Sequence, residues 1–189
     1  MIRRIRPRSA NLNHTSAIKN NLADFFTLSR GIIAVIILSL SLLGKDAYTV
    51  VVALALIGAA TDVLDGRTAR KFLGKDRKGK LGKYDLVIDT FFVLCILAYL
   101  SLSRIVMPMA LGLAWIVLAV IASSIWKFKA KVLNLFEITT ILTLFAIAGI
   151  YDLKLFFILI VPATLAVVIL NWDRMWYVLR VKIPGEFSE

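Results

Sequence analysis

The sequence predicts an all-α integral membrane protein, a bundle of six transmembrane helices preceded by a short N-terminal cytoplasmic segment. Of the 189 residues, 60% are hydrophobic and the mean hydropathy is +0.84, whereas soluble domains are usually only ~45–50% apolar. The apolar residues form six runs, each close to the roughly 20 residues that a helix needs to cross the hydrocarbon. These runs are 24–43, 47–65, 86–103, 105–126, 132–150 and 153–172.

The organisation around these runs is simple. Residues 1–22 are polar and basic, so we expect an amphipathic or juxtamembrane segment ahead of a membrane domain at 23–178 and a cytoplasmic tail at 179–189. No short apolar run with a cleavage site follows the basic start, and a cleaved signal peptide is therefore not expected. Because every connection is short, the helices should form one compact bundle without a separate soluble domain.

The net charge of +11 bears on orientation. In a soluble protein such a charge would suggest nucleic-acid binding, but here the cations lie between apolar runs, so we interpret them as topology signals and anionic-lipid contacts and expect no nucleic-acid partner. Twenty Lys and Arg residues lie on the side of the two termini, and only Lys45, Arg104 and Lys154 lie opposite. The positive-inside rule then places both termini and the aspartates that flank loop 71–83 on the cytoplasmic side. We expect the protein to be integral to the inner or plasma membrane of the cell. The single cysteine, Cys95, excludes a disulfide framework.

Four aspartates flank the basic loop 71–83 at the ends of the second and third runs. An ionisable side chain within a membrane helix costs at least ~2.5–3.5 kcal/mol, so it marks a functional site by default. Residues three or four apart share one helix face, and a chain that folds back at the loop would bring the two pairs together. Four carboxylates would repel one another unless cations neutralised them, and hard oxygen ligands suit Mg²⁺, Mn²⁺ or Ca²⁺. The aspartates are Asp62, Asp65, Asp85 and Asp89.

The same stripe of the second run carries Gly66, Ala69 and Arg70. The two small residues leave a shallow trough beside the carboxylates, where a ligand could approach the backbone. Arg70 can only donate hydrogen bonds, which suits a phosphate oxygen. The basic loop 71–83 has two open interpretations, a topology determinant or a funnel for an acceptor phosphate.

Together these residues resemble a known signature. Asp-x2-Asp-Gly-x2-Ala-Arg followed by Gly-x3-Asp-x3-Asp is the motif of the class I CDP-alcohol phosphotransferases, integral membrane enzymes of phospholipid synthesis. The first half matches at every fixed position. The second half keeps Asp85 and Asp89 four apart, but the glycine before them is displaced by the basic loop.

Two flanking segments extend the resemblance. Asp24, Thr27 and Arg30 are similar to the family's Pro-Asn-x2-Thr-x2-Arg in the first helix, with Pro replaced by Ala and Asn by Asp. In the fifth run, Lys-x2-Asn-x2-Glu is similar to the Lys-x2-Thr-x2-Gln of members that use glycerophosphate. Its residues are Lys131, Asn134 and Glu137.

The resemblance implies a reaction and its site. A phosphatidyl or other substituted phosphate group would pass from a CDP-linked lipid to an alcohol, and CMP would be released. Two ions of Mg²⁺ or Mn²⁺ would be held by the four aspartates, with Asp62 and Asp85 bridging both ions, and Asp89 would also act as the catalytic base. A homodimer is implied as well. The residues expected to bind the CDP-linked lipid are Asp24, Thr27, Gly66, Ala69 and Arg70.

The acceptor is expected to be a phosphorylated polyol, glycerol 3-phosphate ahead of inositol phosphate. A phosphorylated acceptor needs positive charge, which Arg30, Lys83 and Lys131 could supply. Asn134 and Glu137 either contact the acceptor or pair with Lys131. For Asp24, a helix N-cap is an alternative to substrate contact.

Two other classes of function remain open. A divalent-cation transporter also places carboxylates in a membrane bundle, but it needs ligands near the midplane with access from both sides. A catalytically degenerate relative could keep the fold as an assembly partner, and the altered loop keeps that alternative open.

Overall fold

A computed structural model describes the backbone of residues 10–72 and 84–170 and the side chains of residues 25–61 and 84–170. Apart from short connections, this part of the chain is helical, and it contains no strand, so the predicted all-α class is confirmed. The helices are α1 (Ala10–Ser39), α2 (Tyr48–Phe72), α3 (Asp85–Leu102), α4 (Met109–Ile125) and α5 (Ala130–Tyr151). A 3₁₀ segment, Leu40–Ala47, joins α1 to α2, and the last described segment is Leu153–Leu170.

Within the described residues, four helical stretches are long and apolar enough to cross a membrane: Phe25–Thr61, Asp85–Leu102, Ala130–Tyr151 and Leu153–Leu170. Met109–Ile125 is apolar but has only 17 residues. The first stretch unites two predicted runs. It is interrupted at Gly44, whose φ of 62° is left-handed and suits a residue without a Cβ. The membrane class is therefore supported, whereas the count of six spans stays a prediction.

Two predicted boundaries differ from the structure. The first helix begins at Ala10 and includes residues 10–22 of the predicted juxtamembrane segment. Asp24 therefore lies in the interior of α1, and its interpretation as a helix N-cap is wrong. α4 begins only at Met109 because the chain between α3 and α4 passes through left-handed backbone at Arg104 and Val106 (φ 52° and 65°) before Pro108.

α3 is the most buried of the candidate spans, because 44% of its 18 residues lie inside the protein. It packs against both α1 and α4. Its Leu94 also borders a small apolar cluster formed by α4 and α5, in which the Trp115 and Phe136 rings meet edge to face at 5.4 Å. Phe92, Val93, Cys95, Leu97, Tyr99 and Leu100 are its buried hydrophobic residues. α3 is thus the central helix of this part of the protein, since it contacts α1, α4 and the apolar cluster.

The outer surface is apolar, as expected for helices surrounded by lipid. Large hydrophobic side chains of α1, α4 and α5 are exposed, among them Ile32, Leu118 and Leu142. In water such a surface would be an aggregation hazard, whereas lipid covers it at no cost. The exposed apolar side chains therefore agree with a membrane location.

The chain divides into two compact units, Met1–Ile147 and Ala148–Glu189. In the second unit, Asp152 caps the last segment by accepting a hydrogen bond from the amide of Leu155 at 2.9 Å. The segment is π-helical over Phe156–Ile160. Pro162 follows two residues later; it lacks an N–H, and its ring would clash with a carbonyl one turn earlier in a regular α-helix. The predicted single bundle of six helices stays a prediction.

Candidate active site

Two pairs of polar residues face each other where α1 packs along α3. Thr27 and Arg30 are three residues apart on α1, and Asp85 and Asp89 are four apart on α3. Each pair therefore lies on one face of its own helix. Because α1 and α3 are neighbours over these positions, the four side chains form one cluster.

The cluster is ionic. The Arg30 guanidinium forms ion pairs with both carboxylates, through Nη2 to Asp85 Oδ1 and through Nη1 to Asp89 Oδ1. The Thr27 hydroxyl donates a hydrogen bond to the same Asp85 oxygen at 3.1 Å. The fork of a guanidinium suits such a bridge, since its N–H groups point in fixed directions.

The depth of these side chains differs in a way that matters for chemistry. Arg30 is only 1% exposed, whereas Asp85 is 36% and Asp89 20% exposed. The cation therefore lies beneath the two carboxylates, which remain open on their outer side. A buried charge without a partner is strongly destabilising, so the arginine and the aspartates depend on one another in this arrangement.

A close approach of α2 and α3 lies one turn away. A Cβ added to Gly58 of α2 would come within 2.3 Å of the Phe92 ring of α3. Asp62 lies one helical turn beyond Gly58, and Asp89 lies one turn before Phe92. Since residues three or four apart share a face, this contact puts the first aspartate of α2 and the last aspartate of α3 at the same level.

Several predicted site residues lie outside the described side chains. The stretch 62–70 is helical, so its aspartates, Gly66, Ala69 and Arg70 have the spacing on one face that the sequence predicts. Their side chains, and that of Asp24, lie outside the described residues, as does Lys83 altogether. The ligand contacts expected of them stay predictions.

The predicted acceptor residues begin α5. Lys131 and Asn134 are exposed and Glu137 is half-buried. One turn beyond Glu137, the Thr140 hydroxyl accepts a hydrogen bond from the Trp115 indole N–H at 3.0 Å, which fixes α5 against α4. The contact of these residues with an acceptor stays a prediction.

Sequence reasoning missed two contributions to the site. Arg30 was expected to face an acceptor phosphate, but in this structure it pairs with the carboxylates. Gly58 was not singled out at all. Its signal was its position four residues before Asp62, on the same face, but a glycine at such a position becomes informative only when its partner ring is known.

The cluster also bears on metal binding. Among the residues whose side chains are described, no group of three could hold a metal ion. Asp85 and Asp89 supply two hard oxygen donors with an exposed outer side, which fits Mg²⁺ or Mn²⁺. The remaining donors of the predicted set would come from Asp62 and Asp65, on the helix that Gly58 brings close.

The comparison with known proteins finds one family for this chain. A family model described as CDP-alcohol phosphatidyltransferase matches residues 20–178, which include α1 from Asn20 onwards and both aspartate pairs. No curated protein and no solved structure matches the chain.

Proposed function

Because the chain belongs to the CDP-alcohol phosphatidyltransferase family, we propose that it transfers a phosphatidyl group from a CDP-linked lipid to a phosphorylated polyol and releases CMP. Phosphatidyl transfer from a CDP-alcohol in lipid synthesis is the chemistry of the family. The identity of the acceptor, the dependence on metal and the residue roles are the parts that we add.

The observation that carries this proposal is the ionic cluster of α1 and α3 together with its alignment to α2. The outer sides of Asp85 and Asp89 are open, and the contact between Gly58 and Phe92 brings α2 close one turn away. A diphosphate could therefore be approached from two helices at once. Isolated interfacial aspartates would not require such an arrangement.

The four aspartates are the proposed ligands of two divalent cations, Mg²⁺ or Mn²⁺. When bound, such ions neutralise the charge of a diphosphate and of its leaving oxygen. Asp62, Asp65, Asp85 and Asp89 are the residues that would hold them. In the chain itself, their spacing on two neighbouring helix faces is what suits them to this role.

Asp89 is the proposed general base. It is less exposed than Asp85, at 20% against 36%, yet its outer side is reachable. A carboxylate within hydrogen-bond distance of an alcohol can accept its proton as the hydroxyl attacks the phosphorus. The ion pair with Arg30 directs Asp89 to the face of α3 that it shares with Asp85.

The substrate contacts follow the sequence resemblance. Asp24, Thr27, Gly66, Ala69 and Arg70 are proposed to bind the CDP-linked lipid, and Lys83, Lys131, Asn134 and Glu137 the acceptor. A phosphorylated acceptor favours the cationic members of this second group. We favour glycerol 3-phosphate ahead of inositol phosphate.

The proposed orientation has both termini and the aspartates on the cytoplasmic side, because most of the Lys and Arg residues lie there. The lipid chains of the donor would then remain between or beside the helices while its nucleotide reaches the cytoplasmic ends. A homodimer, implied by the family resemblance, stays a prediction.

The decisive experiment uses the full chain, purified and reconstituted into nanodiscs. CDP-diacylglycerol is offered with Mg²⁺ or Mn²⁺ and each of four acceptors, glycerol 3-phosphate, inositol phosphate, serine and inositol, and both CMP and the lipid product are followed. We expect CMP only with a phosphorylated polyol, and none after EDTA treatment. If only serine or inositol supported turnover, the proposed acceptor would be rejected, whereas the proposed transferase function would stand.

The same preparation separates the alternatives. Absence of CMP release from CDP-diacylglycerol and from an ether-lipid analogue, with every acceptor and both metals, would contradict the transferase function and favour a degenerate assembly partner. Flux of a divalent cation into proteoliposomes would identify a transporter. A matched preparation of Asp62→Asn controls for contaminating activity, since it removes a charge with little change of shape.

A further inference from the structure

The position of Arg30 has a consequence for the metal site. The guanidinium forms ion pairs with the Oδ1 atoms of Asp85 and Asp89, two of the four carboxylates that the proposed function assigns to divalent cations. The positive charge of Arg30 is thus already paired with two carboxylates that a divalent cation would also bind. We propose that Arg30 is a resident counter-cation that competes with divalent cations for Asp85 and Asp89, and so sets the metal concentration at which the site fills.

Burial is the first argument for this role. Arg30 lies in a helix of the apolar bundle and is 1% exposed. A charge at such a position is costly unless it is paired and hydrogen-bonded. The two aspartates provide that pairing, and the Thr27 hydroxyl, itself 2% exposed, adds a hydrogen bond to Asp85 at 3.1 Å. Arg30 therefore neutralises half of the charge of this carboxylate pair without an outside ion.

Charge balance is the second argument. One guanidinium against two carboxylates leaves the cluster with a net charge of −1, so it still attracts cations. A divalent ion that approaches the outer side of the carboxylates meets the positive field of Arg30 just beneath them. Like charges a few ångströms apart repel one another even at the intermediate dielectric constant of a partly exposed site. Arg30 therefore weakens divalent binding in two ways, through this repulsion and through the ion pairs with Asp85 and Asp89 that an incoming ion has to weaken.

On this proposal, Arg30 affects the protein differently without and with bound metal. Without metal, Arg30 keeps two repelling carboxylates on one face of α3 and holds that face against α1. With metal, part of that stabilisation is lost and must be recovered from the new ion. The apparent metal affinity is consequently lower than four carboxylates alone would give, and Arg30 acts here as a positioning residue.

The test measures metal binding directly, without turnover. The full-length protein is stripped with EDTA in nanodiscs, and free Mn²⁺ is counted by its electron paramagnetic resonance signal during titration. Arg30→Gln removes the charge and keeps a polar side chain. We expect its dissociation constant for Mn²⁺ to fall by roughly tenfold or more relative to the wild type, because the repulsion is removed.

The matched control is Arg104→Gln. It makes the same chemical change, but Arg104 is exposed in the turn after α3, at the other end of that helix from the carboxylates. Its Mn²⁺ affinity should equal that of the wild type. If both variants bound Mn²⁺ more tightly than the wild type by the same factor, only the net charge of the protein would matter, and the role of Arg30 would be overturned.

Thermal unfolding supplies the second readout. In EDTA, Arg30→Gln should unfold at a lower temperature than the wild type, because Asp85 and Asp89 lose their partner, and Mn²⁺ should raise its midpoint by more than it raises that of the wild type. If Arg30 served only packing, the midpoint would fall by the same amount with and without metal. Unchanged or weaker Mn²⁺ binding in Arg30→Gln would likewise refute the proposal.

If Arg30→Gln does not fold, Arg30→Lys decides. An ammonium keeps the charge but lacks the planar fork that reaches both carboxylates, so Mn²⁺ should bind somewhat more tightly than in the wild type, and equal or weaker binding would refute the competition. The inference rests on the proposed metal site, but the two can fail separately. Wild-type CMP release tests the transferase, and Mn²⁺ affinities of the variants test Arg30 even if no acceptor is found.

Discussion

The two ends of α3 are held to their neighbours by different chemistry. At its first end, Asp85 and Asp89 form ion pairs with Arg30 of α1. At its second end, the Tyr99 hydroxyl donates a hydrogen bond to the Gly44 carbonyl at 2.8 Å, and Ser101 donates to its own helix at the Leu97 carbonyl at 2.7 Å. The first end is charged and partly open, whereas the second is neutral and buried.

This difference separates function from stability along one helix. The neutral hydrogen bonds of the second end involve the buried side chains of Tyr99 and Ser101, so this end acts as a fixed support. The carboxylates of the first end can exchange one cation for another. A glycine lies near each end as well, Gly58 against Phe92 and Gly112 against Ser101, so the same kind of substitution can be made at both ends and compared.

The largest effect is expected from Asp89→Asn at the charged end. The amide cannot accept the proton of the attacking alcohol, and general-base catalysis typically contributes ~10²–10⁴-fold. We expect kcat for CMP release to fall by at least about a hundredfold, while binding of CDP-diacylglycerol to the nanodisc-embedded protein changes little. Equal losses in kcat and in donor binding would show that Asp89 acts as a ligand rather than as the base.

Asp46→Asn is the matched control for this change. Asp46 is exposed in the 3₁₀ segment beyond Gly44, near the neutral end. Its substitution should leave both kcat and donor binding unaltered. A large loss of activity in Asp46→Asn would mean that the division between the two ends of α3 is incorrect.

Gly58→Ala tests whether the spacing of α2 and α3 serves the site. The new Cβ would lie 2.3 Å from the Phe92 ring, so the ring or the helix must move, and Phe92 is one turn from Asp89. A misplacement of about 1 Å can cost ~10²-fold in rate, so we expect kcat to fall by roughly tenfold to a hundredfold.

The companion of this variant is the double substitution Gly58→Ala with Phe92→Leu. Leucine removes the ring that the new methyl group would meet, and part of the lost kcat should return. If Gly58→Ala lowers the unfolding midpoint but leaves kcat as in the wild type, the contact is only structural.

Gly112→Ala makes the corresponding change at the neutral end. Its Cβ would lie 1.7 Å from Ser101 Oγ and 2.6 Å from Ser101 Cβ, and the second atom cannot rotate away. Overpacking of this kind costs typically about 1–3 kcal/mol, so the free energy of unfolding should fall by that amount, while kcat per folded molecule is retained. Gly31→Ala, whose Cβ would meet nothing within 4 Å, should not destabilise. If Gly112→Ala lowered kcat as much as Gly58→Ala does, the two ends of α3 would not be independent.

The sequence was sufficient for features that depend on local periodicity. Apolar runs predicted the helical membrane class, and the spacing of Asp85 and Asp89 predicted a shared face, because both follow from the geometry of a single helix. The motif around them also predicted the family that the comparison finds. These inferences need no knowledge of which helices are neighbours.

Contacts between helices were not predictable in the same way. The pairing of Arg30 with Asp85 joins residues 55 positions apart, and no local pattern specifies it. A cation in the first run suited a phosphate or a carboxylate equally well. The start of α1 at Ala10 was missed because its early residues are polar, and a polar helix gives no hydropathy signal.

The smallest effect is expected from Tyr99→Phe. Tyr99 is 0% exposed, and its hydroxyl holds the turn between α1 and α2 through the Gly44 carbonyl. Removing it leaves a carbonyl without this donor, at a cost of about 1–3 kcal/mol for a buried group and nearer 1 kcal/mol where another donor can reach it. We expect a loss at the lower end of that range in thermal unfolding, because Gly44 is half-buried, and no change in kcat or in Mn²⁺ affinity. Tyr84→Phe, at the exposed tyrosine before the other end of α3, should leave the free energy of unfolding unaltered. A fall of kcat in Tyr99→Phe would show that the support at the neutral end is transmitted to the carboxylates, and the two ends of the helix would then act as one unit.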